Sequence, residues 1–220
     1  MEDKNGKKKI MKVHLSPFEG GNAKKYDKWY ETLKGRKVDK LEKALFFKLV
    51  KPKKGQTLLD IGCGTGHFSF WFHDLGLKVT GIDISRNMLE VAAGKIKNQE
   101  IKFIRGDAQS LPFQDKSFDL VVMITTLEFL SQPRKALEEA FRVARRKVFF
   151  GVLNKWSLLS LKRKIRALFK ESIYGKAKFY SIGKLRRLLK NCLSSQAIQA
   201  RISCQKTLRG AFISVVADLR

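Results

Sequence analysis

The stretch that most constrains this chain is "LLDIGCGTGHFSF", Leu58 to Phe70, in which an apolar run ending at Asp60 passes directly into Gly62, Gly64 and Gly66. A strand that feeds alternate glycines and then a helix can turn tightly, and it leaves no β-carbons where a ligand must lie against the main chain. A tight strand-to-helix connection with no ligand would use the same residues, so this stretch alone leaves both readings open. A nicotinamide dinucleotide fingerprint, G-x-G-x-x-G, would need its third glycine at position 67, and His67 stands there. The spacing fails for that cofactor.

Around this stretch, short apolar runs alternate with helical patterns, the signature of a parallel sheet covered by helices. Strands are predicted at "TLLDIG", "LKVTGID", "IKFIRGD", "FDLVVMI" and "RKVFFGVL". Helices are predicted from Gly66 to Leu75, Ser85 to Lys97 and Arg134 to Arg145, with Ser85 and Ser131 as caps. In the tail, "AIQARISCQKT" and "RGAFISVVADL" read as two further strands joined near Gly210, the last pair antiparallel. The length of 220 residues at 44% hydrophobic composition fits one domain. Its expected parts are a tail and leading helices over 1–52, a core over 53–153, a basic helical insertion or cap over 154–190 and a strand pair over 191–220.

Two further positions follow the same logic. Asp83 ends the second strand, where an acidic side chain can accept hydrogen bonds from both hydroxyls of a ribose, and Ile84 follows as an apolar surface for a base. After the third strand, "GDAQSLPF" offers Asp107 as an acceptor for an exocyclic amine, with the backbone of Ala108 facing the ring. The loop Asp60-Ile61-Gly62-Cys63-Gly64-Thr65-Gly66 resembles the first motif of class I S-adenosylmethionine-dependent methyltransferases. Gly106 to Phe113 with "DKSFDLVV" resembles the group related to ubiquinone and menaquinone C-methyltransferases.

The resemblance runs well from Lys24 to Asn154, and Tyr26 to Val50 is similar to that family's N-terminal lid helices. It implies a Rossmann-like, doubly wound α/β fold of seven mostly parallel strands with the last antiparallel, plus lid helices and a helical insertion after strand 5. It implies S-adenosyl-L-methionine as cofactor. Asp60, Gly62, Cys63, Gly64 and Gly66 would serve its methionine end and the loop, Asp83 and Ile84 the ribose and adenine, Asp107 and Ala108 the adenine, and Tyr26 and Thr125 the rim. The expected activity is methyl transfer by in-line displacement to a small-molecule or lipid-like acceptor, for which positioning matters more than a general base. Tyr26 and Tyr30 can close over the methionine carboxylate or the substrate, or can simply pack an amphipathic helix. Glu128, Tyr30 and Thr125 are the candidates for a catalytic role. Glu128 can equally serve a helix N-terminus, and Cys63, His67 and His73 read as packing or surface residues.

Composition bears on the acceptor. A formal net charge of +26 permits attraction to RNA, an anionic membrane or acidic partners without choosing among them. In the insertion, Leu158, Leu161, Ile165, Leu168 and Phe169 fall at helical spacing among basic residues. A second basic amphipathic helix is expected from Ser181, with Ile182, Leu185, Leu188 and Leu189 on its apolar face. Such a pair can lie on an anionic membrane, grip RNA with Trp156, Tyr174, Phe179 and Tyr180 stacking on bases, or cap the pocket with its apolar face on the core. An RNA or protein methyltransferase, and a cofactor-binding module without catalysis, are therefore alternatives. No Asn-Pro-Pro-Tyr-like segment and no cysteine follows the fourth strand, which disfavours exocyclic-amine and cytosine-carbon chemistry on nucleic-acid bases. Three widely spaced cysteines indicate neither a disulfide framework nor a metal site. With no apolar signal core and no span of roughly 18 apolar residues, a cytoplasmic setting with at most peripheral membrane contact is expected.

Overall fold

The computed structural model describes residues 22–155, 177–207 and 210–219. All seven expected strands are present: β1 (Thr57–Ile61), β2 (Lys78–Asp83), β3 (Lys102–Arg105), β4 (Phe118–Ile124), β5 (Ala144–Leu153), β6 (Ala200–Lys206) and β7 (Phe212–Leu219). They form one sheet in the order β3-β2-β1-β4-β5-β7-β6. The first five pair in parallel, and β7 inserts antiparallel between β5 and β6.

Strands β1, β4 and β5 are apolar at consecutive positions because both faces of the sheet are covered. Leu58, Leu120, Val122 and Phe149 face one layer, where they meet Phe46, Val50, Phe68 and Phe72. Leu59, Val121, Met123, Val148 and Phe150, one residue out of phase, face the other layer and meet Leu137, Phe141, Leu185 and Leu189. Each such side chain contributes about 1.5–3 kcal/mol by leaving water.

The helices are α1 (Asn22–Glu31), α2 (Leu33–Val50), α3 (His67–Asp74), α4 (Arg86–Ala93), α5 (Pro133–Val143) and α6 (Ile182–Ser195). Ser85 caps α4 by accepting from Met88 N at 3.3 Å. Gly94 then ends that helix short of the expected Lys97. Ser131 does not cap α5: Gln132 holds the cap position, Pro133 opens the helix, and the Ser131 hydroxyl donates to Gln109 instead. Among the described residues no helix is long and apolar enough to cross a membrane.

The expected insertion divides in two. Its first helix, with Trp156 and Tyr174, lies outside the described residues. Its second is α6, which is a regular crossover helix of the sandwich: Leu185, Leu189 and Cys192 are buried against the sheet and α5, while Lys184, Arg186, Arg187 and Lys190 face solvent. It begins at the Ser181 cap and continues past residue 190 to Ser195. Phe179 and Tyr180, expected among the stacking residues, are buried. Tyr180 N donates to Leu153 O at 3.2 Å and its hydroxyl to Leu127 O at 3.1 Å, so the segment is drawn onto the end of β5. Burial raises the Tyr180 hydroxyl above its ordinary pKa, with the Glu128 charge adding to it.

Candidate functional site at the carboxyl edge of the sheet

Parallel pairing brings the carboxyl ends of β3, β2, β1 and β4 side by side, with the chain changing direction across the sheet between β1 and β4, where open α/β sheets bind ligands. The glycine loop leaves β1 there. Gly62, Gly64 and Gly66 have φ of 73°, 54° and 78°, the left-handed region that favours glycine. A β-carbon on Gly62 would run into the Thr126 side chain, and one on Gly66 would come within 2.8 Å of Phe103. At Gly64 the nearest atom would be Met88 Cε at 3.9 Å, so the middle of the loop faces open space. Two glycines thus serve close packing, and the third leaves room above the main chain.

Carboxylates surround that space in a chain that is otherwise strongly basic. Asp83 Oδ2 accepts from Gly64 N at 2.9 Å and Oδ1 from Ser85 N at 2.8 Å. A carboxylate can accept more than two hydrogen bonds, so this anchoring is compatible with a hydroxyl ligand. Ile84 follows, half-buried. Asp60 is buried beneath the loop and accepts from Ser69 Oγ at 2.6 Å. Burial pushes its carboxyl up to about 7 against that hydrogen bond, with the Asp83 charge adding to the rise. Cys63 is buried, and burial together with Asp60 and Asp83 holds its thiol well above the ordinary range, the setting of an inert packing residue.

On the third strand's side, Asp107 Oδ1 accepts from Gln109 N at 2.8 Å, and Gln109 Nε2 reaches both carboxylate oxygens at 3.0 and 3.1 Å. Gln109 is itself buried, and its Oε1 accepts from Ser131 Oγ and Gln132 N, both at 2.8 Å. Ala108 is buried between the two. Thr125, at the end of β4, has φ of 52°, a strained value for a β-branched residue, and its N–H donates to Gly151 O at 2.7 Å. Glu128 is 0% exposed, and its Oε1 accepts from Leu153 N at 2.6 Å. That contact ties the turn after β4 to the end of β5.

The lid helices lie over the loop from the other side. The Thr65 hydroxyl donates to Asp27 Oδ1 at 2.5 Å, and Lys95 pairs with the same carboxylate. Tyr30 stacks on His67 at 3.7 Å between ring centres, and His67 Nε2 shares a 2.7 Å hydrogen bond with Asp39 Oδ1. Asp39 is held below the usual carboxylate range: burial would raise it, but the His67 and Lys43 hydrogen bonds and charges outweigh burial. Tyr26 and Tyr30 hydroxyls approach at 3.4 Å. The position that fails the dinucleotide spacing therefore carries a side chain used to attach the lid.

The structure gathers Tyr26, the glycine loop, Asp60, Asp83, Asp107 and Thr125 along one edge, while Glu128 sits below it. Sequence reasoning missed Asp27, Thr65, Asp39 and Gln109. Gln109 had a local signal, two residues beyond Asp107 as in an Asx turn, but the lid contacts had none. An open glycine turn ringed by carboxylates suits a ligand with a nucleoside and positive charge, and S-adenosylmethionine has both. Among the described residues no group of His, Cys, Asp and Glu has a metal-binding arrangement.

Known proteins resemble this chain in sequence and in fold. A methyltransferase-domain family model matches residues 59–151, the stretch that carries the loop, Asp83 and Asp107. A demethylmenaquinone methyltransferase of Renibacterium salmoninarum is 45% identical over 91 residues, 41% of this chain and 38% of its own length. The match thus spans about two fifths of that relative. An uncharacterised protein of Methanocaldococcus jannaschii is 33% identical over 173 residues, 76% of each chain. Among solved structures, the magnesium protoporphyrin IX methyltransferase of Synechocystis with bound S-adenosylhomocysteine superposes with a TM-score of 0.68 at 18% identity, covering 91% of this chain and 95% of that one. At that identity the likeness is one of fold.

Proposed function

The chain belongs to the class I S-adenosylmethionine-dependent methyltransferases, related to the menaquinone methyltransferases, and on that premise we propose that it methylates a small, lipid-like acceptor of quinone type. The observation that carries the acceptor class is the 45% identity to a demethylmenaquinone methyltransferase over 91 residues. S-adenosylmethionine supplies a methyl group already activated by its sulfonium centre.

The chain's own task is then to bind, orient and exclude water. In this reading Asp83 takes the ribose hydroxyls and Asp107, held by Gln109, takes the adenine amine with Ala108 beside the ring. Ile84 lies against the base. The space above Gly64 receives the methionine end, with Asp60 and Cys63 supporting the loop from below. Tyr26 and Tyr30 close the rim from the lid, where the stack of Tyr30 on His67 holds Tyr30 at a fixed depth and Tyr26 packs against Tyr30. Thr125 meets the acceptor from β4. Glu128 is a brace and not a base, because its contact with Leu153 N and its burial keep it under the edge. Holding an acceptor in line can supply several kcal/mol of barrier reduction.

The net charge of +26 supports a second reading, a methyltransferase of RNA or protein. One experiment separates the two. The full chain is incubated with methyl-labelled S-adenosylmethionine and a total cell extract, and the label is followed into organic-phase lipids, RNA and protein. Label in an apolar aromatic species is expected. Label confined to RNA or protein would replace the acceptor assignment, and S-adenosylhomocysteine binding with no transfer to any fraction would make the chain a cofactor-binding module.

A further inference from the structure

The outer face of α2 combines apolar and basic side chains in a way the α/β sandwich does not require. The helix turns Leu45, Phe46 and Val50 inward. On the opposite arc, about 160° wide at roughly 100° per residue, Leu33 is 81% exposed, Phe47 55% and Leu41 40%. Lys34, Arg36, Lys37, Lys40 and Lys48 are exposed on the same arc. Both acids of the helix point away from it: Glu42 is 5% exposed, and Asp39 lies between His67 and Lys43. Every fully exposed charge on α2 is therefore positive, and the adjoining exposed acid, Glu31, belongs to the end of α1.

We propose that this face docks the protein on an anionic lipid bilayer, with Phe47, Leu41 and Leu33 entering the boundary between headgroups and acyl chains and the lysines meeting lipid phosphates. A helix with apolar side chains set among lysines lies in the plane of such an interface, because the long lysine stems can run along the apolar boundary while their ammonium groups stay in the headgroups. The chain's net charge of +26 draws it toward that surface. A nucleic acid fits the arc less well: Phe47 offers one stacking face, but Leu33 and Leu41 offer neither a stacking face nor a donor to phosphate. Through Asp39 and His67, α2 also touches the first residue of the helix that follows the glycine loop. The inference stands on α2 alone and does not depend on which acceptor is methylated.

The test is co-sedimentation of the full chain with vesicles of phosphatidylcholine and with vesicles of equal parts phosphatidylcholine and phosphatidylglycerol. Wild type is compared with the double variants Leu41→Ser/Phe47→Ser and Lys37→Glu/Lys40→Glu, whose thermal melts report the fold. Binding to the anionic vesicles is expected, about tenfold or more weaker to the neutral ones, with each double variant losing about tenfold while melting as wild type does. No binding to anionic vesicles would overturn the proposal, as would equal binding to neutral ones. Binding untouched by the α2 variants would do the same by assigning it to another basic segment. Single-stranded RNA bound through Lys37 and Lys40 in place of vesicles would assign the face to nucleic acid.

Discussion

The backbone N–H of Gly64 donates a 2.9 Å hydrogen bond to the Asp83 carboxylate, so the acid that ends the second strand also fixes the loop that follows the first. Asp83→Ala removes that bond, the one to Ser85 N and the acceptor proposed for the ribose. Titration calorimetry should find S-adenosylhomocysteine bound at least tenfold more weakly, with a stability loss of about 1–3 kcal/mol from the released N–H groups. A dissociation constant equal to that of wild type would take Asp83 out of the cofactor site.

Asp60 makes stability depend on pH with an unusual sign for a carboxylate. Its folded value is raised to about 7, whereas an unfolded aspartate titrates near ~3.9. The native state therefore holds the proton more tightly, and the stability this gives is complete below ~4 and lost as pH rises toward and through 7. Urea midpoints should fall between about pH 5 and pH 8, equivalent to roughly 2–4 kcal/mol. Asp60→Asn should flatten that slope, and a variant with the wild-type slope would show that another group titrates there.

Gln109 links the loop after β3 to the start of α5. Gln109→Leu keeps the volume but strips Asp107 of its side-chain partner and Gln132 N of its acceptor, for an expected loss of about 1–3 kcal/mol. If Gln109 positions Asp107 for adenine, S-adenosylhomocysteine affinity should also fall severalfold, measured well below the melting temperature. Lowered stability with unchanged affinity would restrict Gln109 to a structural role.

For Glu128 the amide variant is decisive. Glu128→Gln keeps an oxygen for Leu153 N and removes the charge beside Tyr180, so methyl transfer should stay within about threefold and the melting temperature should hold. Glu128→Ala leaves a buried N–H without its acceptor and should cost about 2–3 kcal/mol. A hundredfold fall in kcat for the glutamine variant, with the fold intact, would make the carboxylate a base.

Much of the fold was legible because it is written in local pattern. Continuous apolar runs marked β1, β4 and β5 since both faces of each are covered, and Ser85 announced α4 because a cap acts over three residues. Asp83 and Asp107 could be located because a residue at the end of a parallel strand is carried to the binding edge by the topology alone. Even the antiparallel tail followed from two short runs around Gly210.

What tertiary structure decided are the meetings between residues far apart in the chain. Asp27 reaches Thr65 across 38 residues, His67 reaches Asp39 across 28, Gln109 holds Ser131 across 22, and Glu128 meets Leu153 across 25. No local periodicity encodes such a pair, because each depends on which helix lands on which loop once the sheet has closed. The same reason separates the basic helices. Charge and spacing marked α6 as basic and amphipathic, and packing turned its leucines onto the sheet, whereas only the fold leaves Phe47, Leu41 and Leu33 of α2 in solvent.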